Sequence, residues 1–578
     1  MLCLGRARLV YNVLKAPVSL CLLYSSFSSS ISTTRFVPRR TLSIMANSHK
    51  DLFEYTSGNW VYNDALRHKE RRLAFDIDGL CRLAAESVNR TPADVVNLSK
   101  LAEGGFNRTF LITLRDDFKM VARIPYPITV PKFYAVASEV ATLELLRSSG
   151  LPVPKIYGYS PESDNAAGTE YIFMQFVRGS KLSDVWPSLG EQEVISVVRQ
   201  LTQLESVMMS LSFPAGGSLY FTKDLEKVAT GLSIPLEDER FCIGPDTRLP
   251  LWYGRRSKLD VNRGPYLSAE AALVAGAHKE LTYLKRFDQP LLPFRRERRA
   301  GYQYQEQSPS AHIENLNLYL LIASSLVPAD PTLGRFCIRH PDLQQSNIVV
   351  SRSPDSDCQV VGLLDWQHTS ILPTFLLAGV PQRLQNYDDP VSQSMTPPSL
   401  PEDFDDLDGP RRTRADEVYR DRLVHHHYVT STEECNKLHY AAFTDPMYAL
   451  RSRLFQHAGS PWEGETFELK LALIQATERW EALTGGGVPC PVEFDAEDRR
   501  ETRKLNEVQV RADRFFETWQ NMVGLGEEGW VPTEDYEDAV AFFKGRKEEA
   551  LAGAKSAEER AEITGHWPWD DIDEEKYM

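Results

Sequence analysis

Three polar residues stand where two apolar runs can meet. In RHPDLQQSNIVV, residues 339–350, a histidine, an aspartate and an asparagine occupy the mouth of a β-branched stretch. Downstream, QVVGLLDWQ (359–367) is a second strand-like run, closed by Asp365 and separated from the first by the turn segment SPDSD. Paired antiparallel, the two runs bring the start of the first beside the end of the second. Asn347 and Asp365 then converge at one end of an apolar ribbon, with Asp342 in the loop just before it. Two carboxylates and an amide oxygen suit a hard cation such as Mg²⁺, which keeps water and phosphate as its other ligands. The spare aspartate is placed to take a hydroxyl proton. Turn formation is the other use of these residue types, because Asp and Asn are common in loops.

The elements that must position such a site lie upstream. Residues 96–127, VNLSKLAEGGFNRTFLITLRDDFKMVARIPYP, read as three strands joined by Gly-Gly and Asp-Asp turns. Thr91, ahead of PADVVNLSKLA, has the character of an N-cap with Pro92 at the first helical position. FYAVASEVATLELLRSSG reads as a polar helix ended by Gly150. VPKIYGYS and EYIFMQFVRGS are two further strands, so five strands and one helix form a small antiparallel-sheet unit ending near Gly179. Beyond it the chain turns helical. EQEVISVVRQLTQLESVMMSLSF and SAEAALVAGAHKELTYLKRF carry a 3.6-residue apolar period, and more helices follow toward the end. Residues 388–412, rich in Pro, Asp and Ser, read as a loop.

H-x-D-x-x-x-x-N, a strand hairpin and a further Asp together resemble the catalytic and metal-binding segments of the protein-kinase-like fold. The form HPDLQQSNI…GLLDWQ resembles the aminoglycoside phosphotransferase and choline-kinase-like branch: D-W-Q stands where a protein kinase has D-F-G, and no A-P-E follows. The resemblance implies an α+β, bilobal fold. An N-terminal arm and small antiparallel-sheet N-lobe would span 45–179, a larger helical C-lobe 180–450, and a helical extension with an acidic tail 451–578. It also implies ATP as phosphoryl donor, Asp342 as catalytic base, His340 as a buttress of the loop, and Asn347 and Asp365 as Mg²⁺ ligands. Gly104, Gly105, Phe106 and Asn107 fall where a Gly-rich loop covers phosphates. Arg123 takes the place of the phosphate-binding lysine, Glu139 that of its partner on the next helix, and Gln175 to Val177 that of the adenine-binding linker.

Two positions depart from the pattern. Arg123 is a permanent cation, but its planar fork is no like-for-like replacement for an ammonium. Gln367 stands where small-molecule phosphotransferases often carry a second acid. Both bear on ATP and metal binding, and they leave a catalytically weak, nucleotide-binding scaffold as the alternative. LAEGGFNRTFL, VARIPYP and the closing HWPWDD are similar to fungal mitochondrial members of this family. The resemblance names no acceptor.

Composition sets outer bounds. A net charge of −15 argues against a nucleic-acid binder, whose domain is normally basic. Eight cysteines without a C-x-x-C pair argue against a zinc site and a dense disulfide framework. No apolar run reaches transmembrane length. From Met1 to Lys50 there is no Asp or Glu, while arginines and serines crowd the stretch. That pattern predicts a mitochondrial transit peptide over residues 1–44; APVSLCLLY behind Lys15 leaves a secretory signal as its rival. Met45 offers a second start, and with it a cytosolic form. His425 to His427 read as a polar helix face, Asp570 to Glu575 as a solvated end or a cover over a basic surface, and Trp60 and Tyr62 as anchors of a packing arm.

Overall fold

The computed structural model describes residues 49–228, 231–353 and 356–578; the segment 1–44, Met45 and the tip of the 348–363 hairpin lie outside them. After an arm formed by helix α1 (His49–Phe53), strand β1 (Gly58–Trp60) and helix α2 (Asp64–Arg71), helix α3 (Ile77–Ser87) leads into the N-lobe. Its sheet contains β2 (Val95–Glu103), β3 (Asn107–Leu114), β4 (Lys119–Pro125), β5 (Ile156–Ser160) and β6 (Tyr171–Gln175). The strands pair antiparallel in the order β2-β3-β4-β6-β5, and helix α4 (Lys132–Ser148) follows β4. The expected five strands and one helix are all present.

Alternation decides which face each side chain takes. Met120, Ala122 and Ile124 of β4 join Phe110 and Ile112 in the core that α3 covers with Leu80 and Ala84. Val121 points the other way, toward Val136 and Val140 of α4. Arg123, two residues on, shares that face and is aimed at the same helix. Two local expectations change here. Thr91 does begin a helical turn, but the turn is a single 3-10 turn, Pro92–Asp94, whose Asp94 carboxylate accepts from the Thr91 N–H at 2.9 Å. Val95 and Val96 then enter β2, because sheet pairing with β3 suits their branched side chains better than a helix. Helix α4 is not polar-faced either: ten of its residues are buried, Glu139 among them. The covering layer is a hairpin of the large lobe, β7 (Ser218–Phe221) with β8 (Phe241–Gly244), whose Tyr220 and Cys242 pack on Ala137. From the same region Asp224 accepts a 2.5 Å hydrogen bond from Tyr159 of β5.

The large lobe is mainly helical, with one continuous core that runs under the hairpin β9 (Ile348–Ser353) and β10 (Ser356–Leu363). The two strands pair antiparallel with Ile348 opposite Leu363, as the alternation of apolar residues predicts. The stretch 388–412 is not wholly loop. Asp408 caps a helix, α5 (Gly409–Cys435), and accepts from the Arg411 N–H at 3.1 Å. His425 on that helix is buried, with Nδ1 accepting the Asn386 N–H. Among the described residues no helix is long and apolar enough to cross a membrane.

The acidic end is solvated at Asp571, Asp573 and Glu575, but Glu574 is buried against Arg67. This end closes a strap between the lobes. Strand β1 pairs with β11 (Trp530–Pro532) of the C-terminal region. Asn63, at a left-handed φ of 55°, accepts the Ile572 N–H at 2.8 Å and donates to the Ile572 carbonyl at 3.0 Å and to Glu574 Oε1 at 2.5 Å. Arg67 pairs with the same Glu574 oxygen at 2.6 Å. On the other side of the arm, Arg108 of β3 donates to the carbonyls of Leu52 and Arg71. The tail is in turn fixed to the large lobe by Arg296, donating to Trp567 O at 2.7 Å, and by Tyr577, donating to Leu292 O. Trp60 is buried as expected, its ring tilted against Tyr55 with centroids 5.0 Å apart.

Asn63→Ala removes these buried hydrogen bonds and places a β-carbon residue without a side-chain anchor at positive φ. Equilibrium denaturation should show a loss of about 2–4 kcal/mol. Asn63→Gly, free of the conformational cost, should recover about 1 kcal/mol of it.

Candidate active site

The loop 339–347 is built around a buried imidazole. His340 Nδ1 accepts the Asp342 N–H at 3.1 Å, and its Nε2 lies 2.9 Å from the Leu364 carbonyl. A carbonyl only accepts, so Nε2 carries the proton and the ring is neutral. Burial pushes the His340 pKa down to about 4, against the pull of the Leu364 carbonyl. The ring also packs on Trp366 with centroids 4.4 Å apart. His340 therefore joins the loop before β9 to the segment after β10, and it acts on backbone rather than on a reacting atom.

Asn347 and Asp365 are adjacent for a backbone reason: the Leu364 N–H donates to the Asn347 carbonyl at 2.8 Å. The Asn347 amide nitrogen donates to Asp342 O and Oδ2 at 3.0 and 3.1 Å, and Gln344 Nε2 donates to the same Oδ2 at 2.5 Å. These contacts orient the Asp342 carboxylate and leave Oδ1 without a hydrogen bond among the described residues. Asn347 Oδ1 and Asp365 Oδ2 are equally uncommitted. Asp365 sits at φ 65°, a left-handed conformation that Asp tolerates better than most residues, and its side chain keeps 46% of its surface exposed. An amide oxygen and an exposed carboxylate side by side are a fitting donor pair for Mg²⁺.

Across the cleft, Arg123 divides its guanidinium between the lobes. One arm pairs with Glu139 of α4; the other reaches Asp365 Oδ1 at 2.5 Å and Gln367 Oε1 at 3.1 Å. Burial opposes the charge on Arg123, but Asp365 and Glu139 outweigh it and raise its pKa. Burial also opposes ionisation of Asp365, and Arg123 outweighs that, holding its carboxyl below the usual value. Glu139 lies deeper, and burial pushes it up to about 7 while Arg123 pulls the other way. The Asn107 amide oxygen accepts from Arg123 Nη2 and Nε at 2.7 and 3.1 Å.

Gly104 and Gly105 form the tip of the β2–β3 hairpin, closed by the Gly104 N–H on Asn107 O at 2.9 Å. Neither has a positive φ, and a β-carbon on Gly105 would meet nothing within 4 Å. Their smallness therefore serves open space over the cleft, not a strained turn. Phe106 lies edge-on to His368 at 5.5 Å. Gln175 ends β6 with its N–H spent on Lys155 O, whereas the backbone of Phe176 and Val177 makes no hydrogen bond among the described residues. Val177 packs against Gly362 of β10.

Sequence reasoning missed Gln344 and His368. The first could be found from its place two residues past Asp342; the second had no signal, since its Nδ1 is held 2.8 Å from Thr247 O, far away in the chain.

The sequence matches the phosphotransferase enzyme family (APH) over residues 97–374. It is 30% identical to Subtelomeric hrmA-associated cluster protein of Aspergillus fumigatus (strain Af293), covering 82% of this chain and 97% of that one. The chain belongs to this phosphotransferase family. Within it, the chain is 24% identical to Altered inheritance of mitochondria protein 9, mitochondrial, of Clavispora lusitaniae, over 85% of this chain and 87% of that protein. A solved streptomycin–ATP–APH(2'')-IIa complex aligns with 68% of this chain and 94% of its own at 11% identity and a TM-score of 0.32. The bilobal α+β arrangement is the kinase-like fold of the family.

A neutral, buried His340 has a measurable signature. Its folded pKa, about 4, lies below the ordinary 6.5, so the unfolded chain takes up the proton first as pH falls. The stability it contributes is full above pH ~6.5 and is lost toward pH ~4, about 3 kcal/mol in all. Unfolding free energies between pH 6 and 4.5 should fall less steeply in His340→Asn, by up to about 1.4 kcal/mol per pH unit.

Proposed function

We propose that this protein is a mitochondrial, ATP- and Mg²⁺-dependent phosphotransferase that transfers the γ-phosphoryl group to a hydroxyl of a small molecule. The observation that carries the reading is the convergence of Asp342, Asn347 and Asp365 on one mouth of the β9–β10 hairpin, facing Arg123. Bound Mg²⁺ would neutralise charge on the nucleotide phosphates. Asn347 Oδ1 and Asp365 Oδ2 are the groups that would hold it. Asp342 would accept the acceptor's hydroxyl proton through Oδ1 as the new O–P bond forms and the bond to ADP breaks; Gln344 and Asn347 keep its other oxygen fixed. Arg123 and the 104–107 tip would bind and orient the phosphates, and the Phe176–Val177 backbone the base. Support for the location comes from the acid-free residues 1–44 and from the name of the Clavispora relative.

One contact favours a second reading, a nucleotide-binding scaffold: Arg123 already occupies one oxygen of the carboxylate that would hold the metal. Retention of Asp342, oriented by two side-chain amides, favours the enzyme, since a scaffold has no use for it.

In the enzyme reading, ATP raises the melting temperature of protein lacking residues 1–44 only when Mg²⁺ is present. Asp342→Asn should slow phosphoryl transfer by roughly 10²–10⁴-fold and leave that thermal shift intact. Asp365→Ala should abolish both. Equal turnover in wild type and Asp342→Asn defeats the assignment, and ATP binding without turnover in any protein selects the scaffold. A reporter carrying residues 1–44 should enter mitochondria; one that stays in the cytosol overturns the location.

A further inference from the structure

The donors around Asp365 are few, and most of them are already in use. Gln367, the neighbour in sequence that could widen a metal site, is buried, and its Oε1 accepts from Arg123 at 3.1 Å. Asp342 Oδ2 takes two amide N–H groups. Asp365 Oδ1 takes Arg123. What remains is Asp365 Oδ2, Asn347 Oδ1 and Asp342 Oδ1, the last of which is the proton acceptor in the phosphotransfer reading. Among the described residues no group of three or more His, Cys, Asp or Glu stands close enough together to hold a metal. Mg²⁺ with two protein oxygens, completed by phosphate and water, is an ordinary arrangement; two such ions sharing the single free oxygen of Asp365 are not.

A positive charge is nonetheless built in beside that oxygen. The Arg123 guanidinium is buried, held by Glu139 from one side and Asp365 from the other, and it cannot lose its proton. Its contacts with Asn107 and Gln367 fix its plane. A second divalent ion at Asp365 Oδ1 would have to displace it or be repelled by it.

We infer that this site takes one divalent cation per bound nucleotide, with the Arg123 guanidinium standing as a fixed second positive charge at Asp365. The inference rests on the phosphotransfer reading only in assuming that nucleotide and metal bind here. Arg123 then neutralises phosphate without dissociating, and metal dependence of binding is a one-ion dependence at every concentration.

Mn²⁺ provides the count. Full-length protein saturated with a non-hydrolysable ATP analogue is titrated with Mn²⁺, and free ion is measured by electron paramagnetic resonance alongside bound nucleotide. One bound Mn²⁺ per bound nucleotide is expected. Two per nucleotide in the wild type overturns this inference and leaves the phosphotransfer reading standing. Nucleotide bound with no Mn²⁺ overturns both. Arg123→Lys combined with Gln367→Asp frees Asp365 Oδ1 and adds a carboxylate, and its count should rise to two. A folded double variant that stays at one shows that these two residues do not set the number.

Discussion

Arg123 is the point through which the two lobes feel each other. Its fork spans Glu139 on α4 and Asp365 beyond the β9–β10 hairpin, so one side chain fixes the separation of elements that share no backbone. A lysine ammonium could pair with either carboxylate, but it lacks the planar spread that lets separate nitrogens serve both at once. The arrangement is expensive in isolation: the charges of Arg123 and Glu139 are withdrawn from water, and their compensation by each other and by the half-exposed Asp365 makes it tolerable. Everything that surrounds them works to keep the geometry in place. Alternation along β4 aims Arg123 at the cleft, the β7–β8 hairpin holds α4 against the sheet, and the neutral His340 ties the loop bearing Asp342 to the segment bearing Asp365.

That setting also braces the cleft from outside. Helix α4 is buried on nearly every side, so Glu139 has no low-cost way of swinging out. On the opposite flank, the arm 49–72 is hydrogen-bonded to β3 and to the tail together. Two independent connections outside the cleft thus fix the angle between the lobes, and the ionic contacts inside it need only fine positioning.

The sheet, the hairpin and the order of the site residues were legible because they rest on short-range periodicity: apolar residues two apart along β3, β4, β9 and β10, and polar residues at the strand mouths. What escaped is what depends on distant chain segments. The burial of α4 could not be read from its own composition, because the β7–β8 hairpin that covers it lies some eighty residues downstream. The acidic tail has the look of a solvated end until Asn63 and Arg67 are set beside Glu574. Thr91 shows the limit of local signals: its capping turn is real, yet strand pairing takes over at Val95. Within the site, Arg123 and Gln367 were visible as departures, but their contact with each other and with Asn107 exists only in three dimensions.

The strap has a consequence for how the chain reaches its native state. Asn63 and Glu574 are 511 positions apart in sequence, and the hydrogen bonds that fix the arm come from both ends. Contacts of such long range form late, since the loop they close is costly before it is rewarded. The small lobe can assemble its sheet and hold Leu52 and Arg71 through Arg108 as soon as β6 is available, but Asn63 gains its partners only once synthesis has passed Glu574. A nascent chain therefore carries Tyr62, whose apolar neighbours Trp519, Phe543 and Trp569 come from the C-terminal region, uncovered for nearly the whole of its production, a natural footing for chaperones that bind aromatic segments.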